Sequence, residues 1–190
     1  MSTRSRLIVG VMGSGEARYE ALAAPVGRWI AREGHHLLTG GGGGVMAAVS
    51  EAFVSVPERQ GLAIGILKGF PGPDGRVVPA TPNRWVELPI RTHLPLSGEQ
   101  GTDVLSRNHL NVLTADAIVV LPGGAGTRSE AQLAVRYAKP VVAFLGSAAL
   151  PAGWPAIPVA VTLEELARLL EPALEEARRR RAGSVQEHGA

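Results

Sequence analysis

Five short apolar runs, at residues 7–11, 37–38, 62–67, 117–121 and 141–145, restrict what this chain can fold into. They are nearly unbroken. A strand with one wet face alternates polar and apolar side chains, whereas an unbroken run suits a parallel strand covered on both faces. Between the runs lie helical stretches at residues 19–32, 45–54, 102–114 and 129–137, punctuated by Gly34, Gly61 and Pro140 as stops. The alternation predicts an α/β fold: a doubly wound, mostly parallel, Rossmann-like sheet in three layers. At 190 residues the chain is long enough to bury a sizeable core. One nucleotide-binding domain is expected over residues 1–182, with a flexible tail over 183–190. Residues 69–82, with four prolines and three glycines, are expected to form a surface loop.

Composition removes several classes of function. The chain has no cysteine, so disulfides, thiolate metal sites and cysteine nucleophiles are excluded. With 45% hydrophobic and 19% charged residues it reads as a globular protein, and no apolar stretch is long enough to cross a bilayer. Residues 1–6 lack a signal peptide's pattern, so a cytoplasmic location is expected, with no membrane partner. A net charge of +2 is too small to argue for a nucleic-acid partner. The basic cluster at residues 178–181 reads as the end of a carboxy-terminal helix, where cations suit the dipole.

Three glycine turns end apolar runs, at residues 10–15, 40–44 and 123–126. Ligands of doubly wound sheets bind beyond the carboxyl ends of the strands, so three such turns on one rim predict a floor for a phosphorylated small molecule. Gly13, Ser14, Gly41, Gly42, Gly43 and Gly44 are its candidates from the first two turns. In the third, Gly123, Gly124, Ala125, Gly126 and Thr127 open a helix whose free N–H groups and positive dipole end favour an anion. The spacings do not match the dinucleotide pattern Gly-x-Gly-x-x-Gly, and no Gly-Lys-Ser/Thr marks a triphosphate loop.

Glu130, one turn into the anion-binding helix, is electrostatically out of place there. Two readings stand side by side. In one, Thr127-Arg128-Ser129-Glu130 is a capping box, as Thr162-Leu163-Glu164-Glu165 also reads. In the other, Glu130 does chemistry with a distant partner. Arg107 is the candidate partner, on a helix expected from Thr102, with Asn111 four residues on and Asn108 beside it. Val104, Leu105, Leu110, Val112 and Leu113 give that helix an apolar surface.

Pro122-Gly123-Gly124-Ala125-Gly126-Thr127-Arg128-Ser129-Glu130 resembles the Pro-Gly-Gly-x-Gly-Thr-x-x-Glu signature of the Lonely-guy superfamily, long labelled lysine decarboxylases. Arg107 and the turn at residues 39–46 match further elements of that pattern. The start at residues 8–17 is more similar to its molybdenum-cofactor carrier branch. The resemblance runs from about residue 6 to residue 146. It implies a phosphoribohydrolase that cleaves the N-glycosidic bond of a nucleoside 5′-monophosphate to free base and ribose 5-phosphate. Glu130 would then steady an oxocarbenium-like transition state and activate water, Arg107 would hold Glu130 ionised, and no cofactor or metal would be required. The alternative it implies is a non-catalytic carrier, for which molybdenum cofactor, a phosphorylated pterin, is the ligand. This chain has Asn108 where the family's hydrolases usually carry Lys.

The remaining candidates have plainer roles. His35 and His36 are adjacent in an expected strand and so point to opposite faces. His109, Met12 and Met46 read as packing residues, and Ser129 has no histidine partner. The helical stretches at residues 47–53 and 131–138 are apolar over more than one stripe. That excess predicts a homodimer or larger assembly through paired helices, as the resemblance also implies.

Overall fold

The computed structural model describes residues 6–187, with side chains for 6–183. Each apolar run becomes a strand: β1 (Ile8–Met12), β2 (His36–Thr39), β3 (Ala63–Leu67), β7 (Ala117–Val120) and β8 (Val141–Phe144). Two short strands that pattern alone did not mark, β6 (Leu88–Arg91) and β9 (Val159–Ala160), complete a seven-stranded sheet in the order β6-β3-β2-β1-β7-β8-β9. Every pairing in it is parallel. From β1 the chain winds outward through β2, β3 and β6, then returns to the other side of β1 with β7. The switch point therefore lies between β1 and β7, where the first and third glycine turns leave the sheet.

Side-chain alternation in these strands feeds two cores. On one face Val9, Val11, Val119 and Leu121 pack with α1 (Glu20–Arg32), α2 (Gly44–Val54) and α5 (Leu163–Glu187). On the other, Met12, Ile66, Ile118 and Val120 pack with Val112 of α3 (Asn108–Thr114) and Leu133 of α4 (Ala125–Arg136). The expected three layers are present.

Four expectations need correction. Helix α3 starts at Asn108, not Thr102. Asp103 and Ser106 turn their side-chain oxygens onto the amides of Leu105 and Asn108, and Val104 is 83% exposed, so nothing holds a helix there. Residues 69–82 are not all loop. They contain a hairpin of β4 (Gly69–Pro71) and β5 (Val77–Pro79), closed around Gly75 at φ 75°. Helix α5 runs on to Glu187, through most of the stretch expected as tail, while residues 188–190 and 1–5 lie outside the described residues. Finally, the apolar surface of α2 is taken up within the chain by α1. A Cβ on Gly27 of α1 would collide with the Val49 carbonyl of α2, so glycine is what lets the two helices touch.

That contact sets the position of α2 and of the glycine turn before it. Gly27→Val is expected to push the helices apart and lower unfolding stability by about 1–3 kcal/mol, as overpacking does. Denaturant melts that matched the parent would contradict the packing.

Candidate functional site

The three glycine turns meet at the switch point. They surround a cleft of about 640 Å³ that Gly13, Ser14, Gly41, Gly42, Gly43, Gly124, Gly126 and Thr127 help to line. The first turn, which follows the strand between the other two, ties them together. The Ser14 amide donates to the Pro122 carbonyl at 3.0 Å, and the Ser14 carbonyl accepts from Val45 at 2.9 Å, at the start of α2. The Ser14 hydroxyl accepts the amides of Glu16 and Ala17, closing its own turn. Two glycines serve this packing rather than the lining. Gly44 sits at φ 55° against the Ser14 carbonyl, and a Cβ on Gly123 would come within 2.8 Å of the Ser14 nitrogen and strike Thr127.

Helix α4 opens at Gly124, which holds its N-cap position without a side-chain cap. The first intrahelical bond of its amides is from Arg128 to the Gly124 carbonyl. The amides of Ala125, Gly126 and Thr127 therefore stand at the open end, as a helix N-terminus leaves them. Helix α2 differs, because the Ser14 carbonyl already takes one of its amides. The stronger anion position is at α4.

Since α4 begins at Ala125, Thr127 lies inside the helix and Thr127–Glu130 is not a capping box. At α5 the same pattern is one in practice: the Glu165 amide donates to Thr162 and the Glu165 carboxylate accepts from Val161. Glu130 instead turns inward to the cleft wall, 7% exposed, and its Oε1 accepts from Asn111 Nδ2 at 2.8 Å. Burial pushes its carboxyl above the ordinary carboxylate range, against the opposing pull of Arg107 and the Asn111 bond.

Arg107 occupies the N-cap position of α3 and is 8% exposed. It lies across Gly40, where any side chain would overlap the guanidinium, and donates to the Ile66 carbonyl at 2.9 Å. Burial draws its pKa down, with Glu130 raising it again. Arg107 and Glu130 both line the cleft, but no ion pair joins them among the described residues. Burial raises the Glu130 pKa, while the Arg107 charge acts in the opposite sense and favours the carboxylate. Asn108 also lines the cleft, and its Nδ2 donates to Ser129 Oγ at 3.0 Å.

Two contributors had no sequence signal. Lys68, at the end of β3, reaches the cleft and donates to Ser97 at 2.9 Å. Asn83 lies behind the second turn. Its Nδ2 donates to the carbonyls of Gly41 at 3.2 Å and Gly42 at 2.9 Å, and its amide donates to Gly41 at 2.8 Å. In a trans peptide the N–H points opposite its carbonyl, so this clip turns the amides of Gly42 and Gly43 away from Asn83. An Asn-Arg-Trp loop between hairpin and strand is legible only once the fold brings it there.

Of the residues read as packing, His109 and Met12 are held within the fold, whereas Met46 is half-buried at the cleft. His109 bonds Tyr137 at 2.6 Å and the Asp103 carbonyl at 2.9 Å. His35 and His36 diverge, onto Arg178 and Leu62 respectively. Met12 is buried, while Met46 lines the cleft.

Residues 6–166 match the model of the SLOG cluster4 family. The chain belongs to that family. A molybdenum cofactor binding protein of Rippkaea orientalis has the same fold, with a TM-score of 0.65 and 28% identity over 90% of this chain and 98% of the other. The molybdenum cofactor carrier protein of Chlamydomonas reinhardtii gives 0.66 and 27%, over 90% and 99%. An uncharacterised protein of Archaeoglobus fulgidus is 33% identical over 135 residues, 70% of this chain and 76% of its own length. These neighbours share the Lonely-guy-like fold that the glycine signature pointed to.

The state of Glu130 has a pH signature. A carboxyl whose folded pKa is raised stabilises the fold below its unfolded pKa, and that contribution is lost as pH rises through the folded value. Glu130→Gln, which stays neutral, is expected to match the parent near pH 4 and to gain on it toward pH 8 in denaturant melts. A parent more stable than the variant at pH 8 would mean that Arg107 does hold the carboxylate ionised.

Proposed function

We propose that this protein binds a phosphorylated pterin of the molybdenum-cofactor type in the cleft, as a carrier or store. The phosphate sits on the open amides of Ala125, Gly126 and Thr127, and the ring system lies over the first and second glycine turns beside Met46. The observation that carries this reading is the setting of Glu130: buried, tied to Asn111 and without an ion pair among the described residues. A carboxyl in that state is a poor stabiliser for an oxocarbenium ion. It serves well as a wall that reads polar edges of a ring. The molybdenum-cofactor binding proteins, similar over nearly their whole length, support the same ligand class.

A second reading keeps the phosphoribohydrolase. It is favoured by Arg107 and Glu130 facing one cleft beside the phosphate position, as the signature implies. Either reading accommodates a homodimer, for which Leu110 and Leu113 of α3 and Val135 of α4 offer exposed apolar surface.

One experiment separates the two. The protein is mixed with a panel of nucleoside 5′-monophosphates while free base is followed, and a phosphorylated pterin is titrated in parallel by its fluorescence. The carrier reading expects saturable pterin binding and no free base, with affinity falling at least tenfold in Arg107→Lys, which loses the guanidinium fork. Release of base from any nucleotide, abolished in Glu130→Gln, would select the hydrolase instead.

A further inference from the structure

The phosphate position on α4 accounts for only one side of the cleft. On the other side, where β2 and β3 end, two cations stand close together with no acid in contact. Lys68 Nζ is half-buried and its one hydrogen bond is to a neutral hydroxyl, Ser97 Oγ. It rests 5.4 Å from the Phe70 ring, at the base of the β4–β5 hairpin. Arg107 is more than nine-tenths buried, and its Nε has no hydrogen-bond partner among the described residues. Neither side chain forms an ion pair there. Their mutual repulsion adds to burial in lowering the Lys68 pKa. Partly desolvated cations that face one cavity without an ion pair are costly unless an anion visits them.

We infer that Lys68, Ser97 and Arg107 form a second anion subsite, and that the ligand carries an anionic group at each end. This rests on the reading of the cleft as a phosphorylated-ligand site and narrows it. Strands β7, β1, β2 and β3 lie in succession. At roughly 4.8 Å per step their outer members end about 14 Å apart, and the reach of the lysine shortens that to on the order of 10 Å. An ordinary nucleoside monophosphate has one anionic end and leaves Lys68 unanswered. A compact ligand with a phosphate at one end and an oxyanion or carboxylate at the other satisfies both. Lys68 is then the residue that selects for the second charge.

Inorganic tungstate, a tetrahedral dianion visible by anomalous scattering, is the probe. Crystals of the full chain soaked in it are expected to show two ions, one on the α4 amides and one between Lys68 and Arg107. In Lys68→Met the second ion should be lost and the first retained, with the weaker dissociation constant in calorimetry rising at least tenfold. Lys68→Arg should keep both. The two readings fail separately. Tungstate at α4 alone in the parent, or undiminished occupancy beside Arg107 in Lys68→Met, overturns the second subsite. An α4 end empty in every crystal overturns the phosphate position.

Discussion

The site depends on the backbone of a single residue, Ser14. Its N–H bonds the turn after β7 and its carbonyl bonds the start of α2, so the three glycine turns are locked into one surface. Each such bond is worth only about 1 kcal/mol net, but leaving a buried backbone group unpaired costs more, which makes the arrangement hard to relax. The lock works at backbone distance. That is why Gly44 and Gly123 flank it, since side chains there would drive the turns apart. The direction of α4, and hence of its free amides, follows from it.

Around this backbone surface the chain buries charge sparingly and without direct pairing. Arg107 spends its guanidinium on the Ile66 carbonyl and on the flat face of Gly40, and Glu130 spends an oxygen on Asn111. Asn111 is itself fully buried, with its Oδ1 unpartnered among the described residues. The cleft therefore presents fixed donors, and burial raises the pKa of its buried acid, Glu130. The same scaffold with an ionised glutamate in contact with arginine would suit bond cleavage. With the groups held as they are, binding is the better-supported use.

Much of this was legible in the sequence, for identifiable reasons. Unbroken apolar runs give buried parallel strands almost one for one, because burial on both faces leaves no room for alternation. The glycine turns announced the rim, and the signature at residues 122–130 announced the superfamily. What could not be read was set by tertiary contact. β6 carries Pro89 and exposed Leu88 and Ile90, so it has no buried pattern to detect. Lys68 and Asn83 sit in segments with no motif of their own. The fate of Thr127-Arg128-Ser129-Glu130 was undecidable locally, since an identical spacing at Thr162 does form a cap. The difference lies in where the helix starts, which Gly124 and the Ser14 contacts decide.

A crystal structure of the protein with a phosphorylated pterin would test the central claim most directly. The phosphate oxygens are expected about 3 Å from the amide nitrogens of Ala125, Gly126 and Thr127, a hydrogen-bonding distance. A phosphate bound elsewhere, with those three amides facing only solvent, would contradict it.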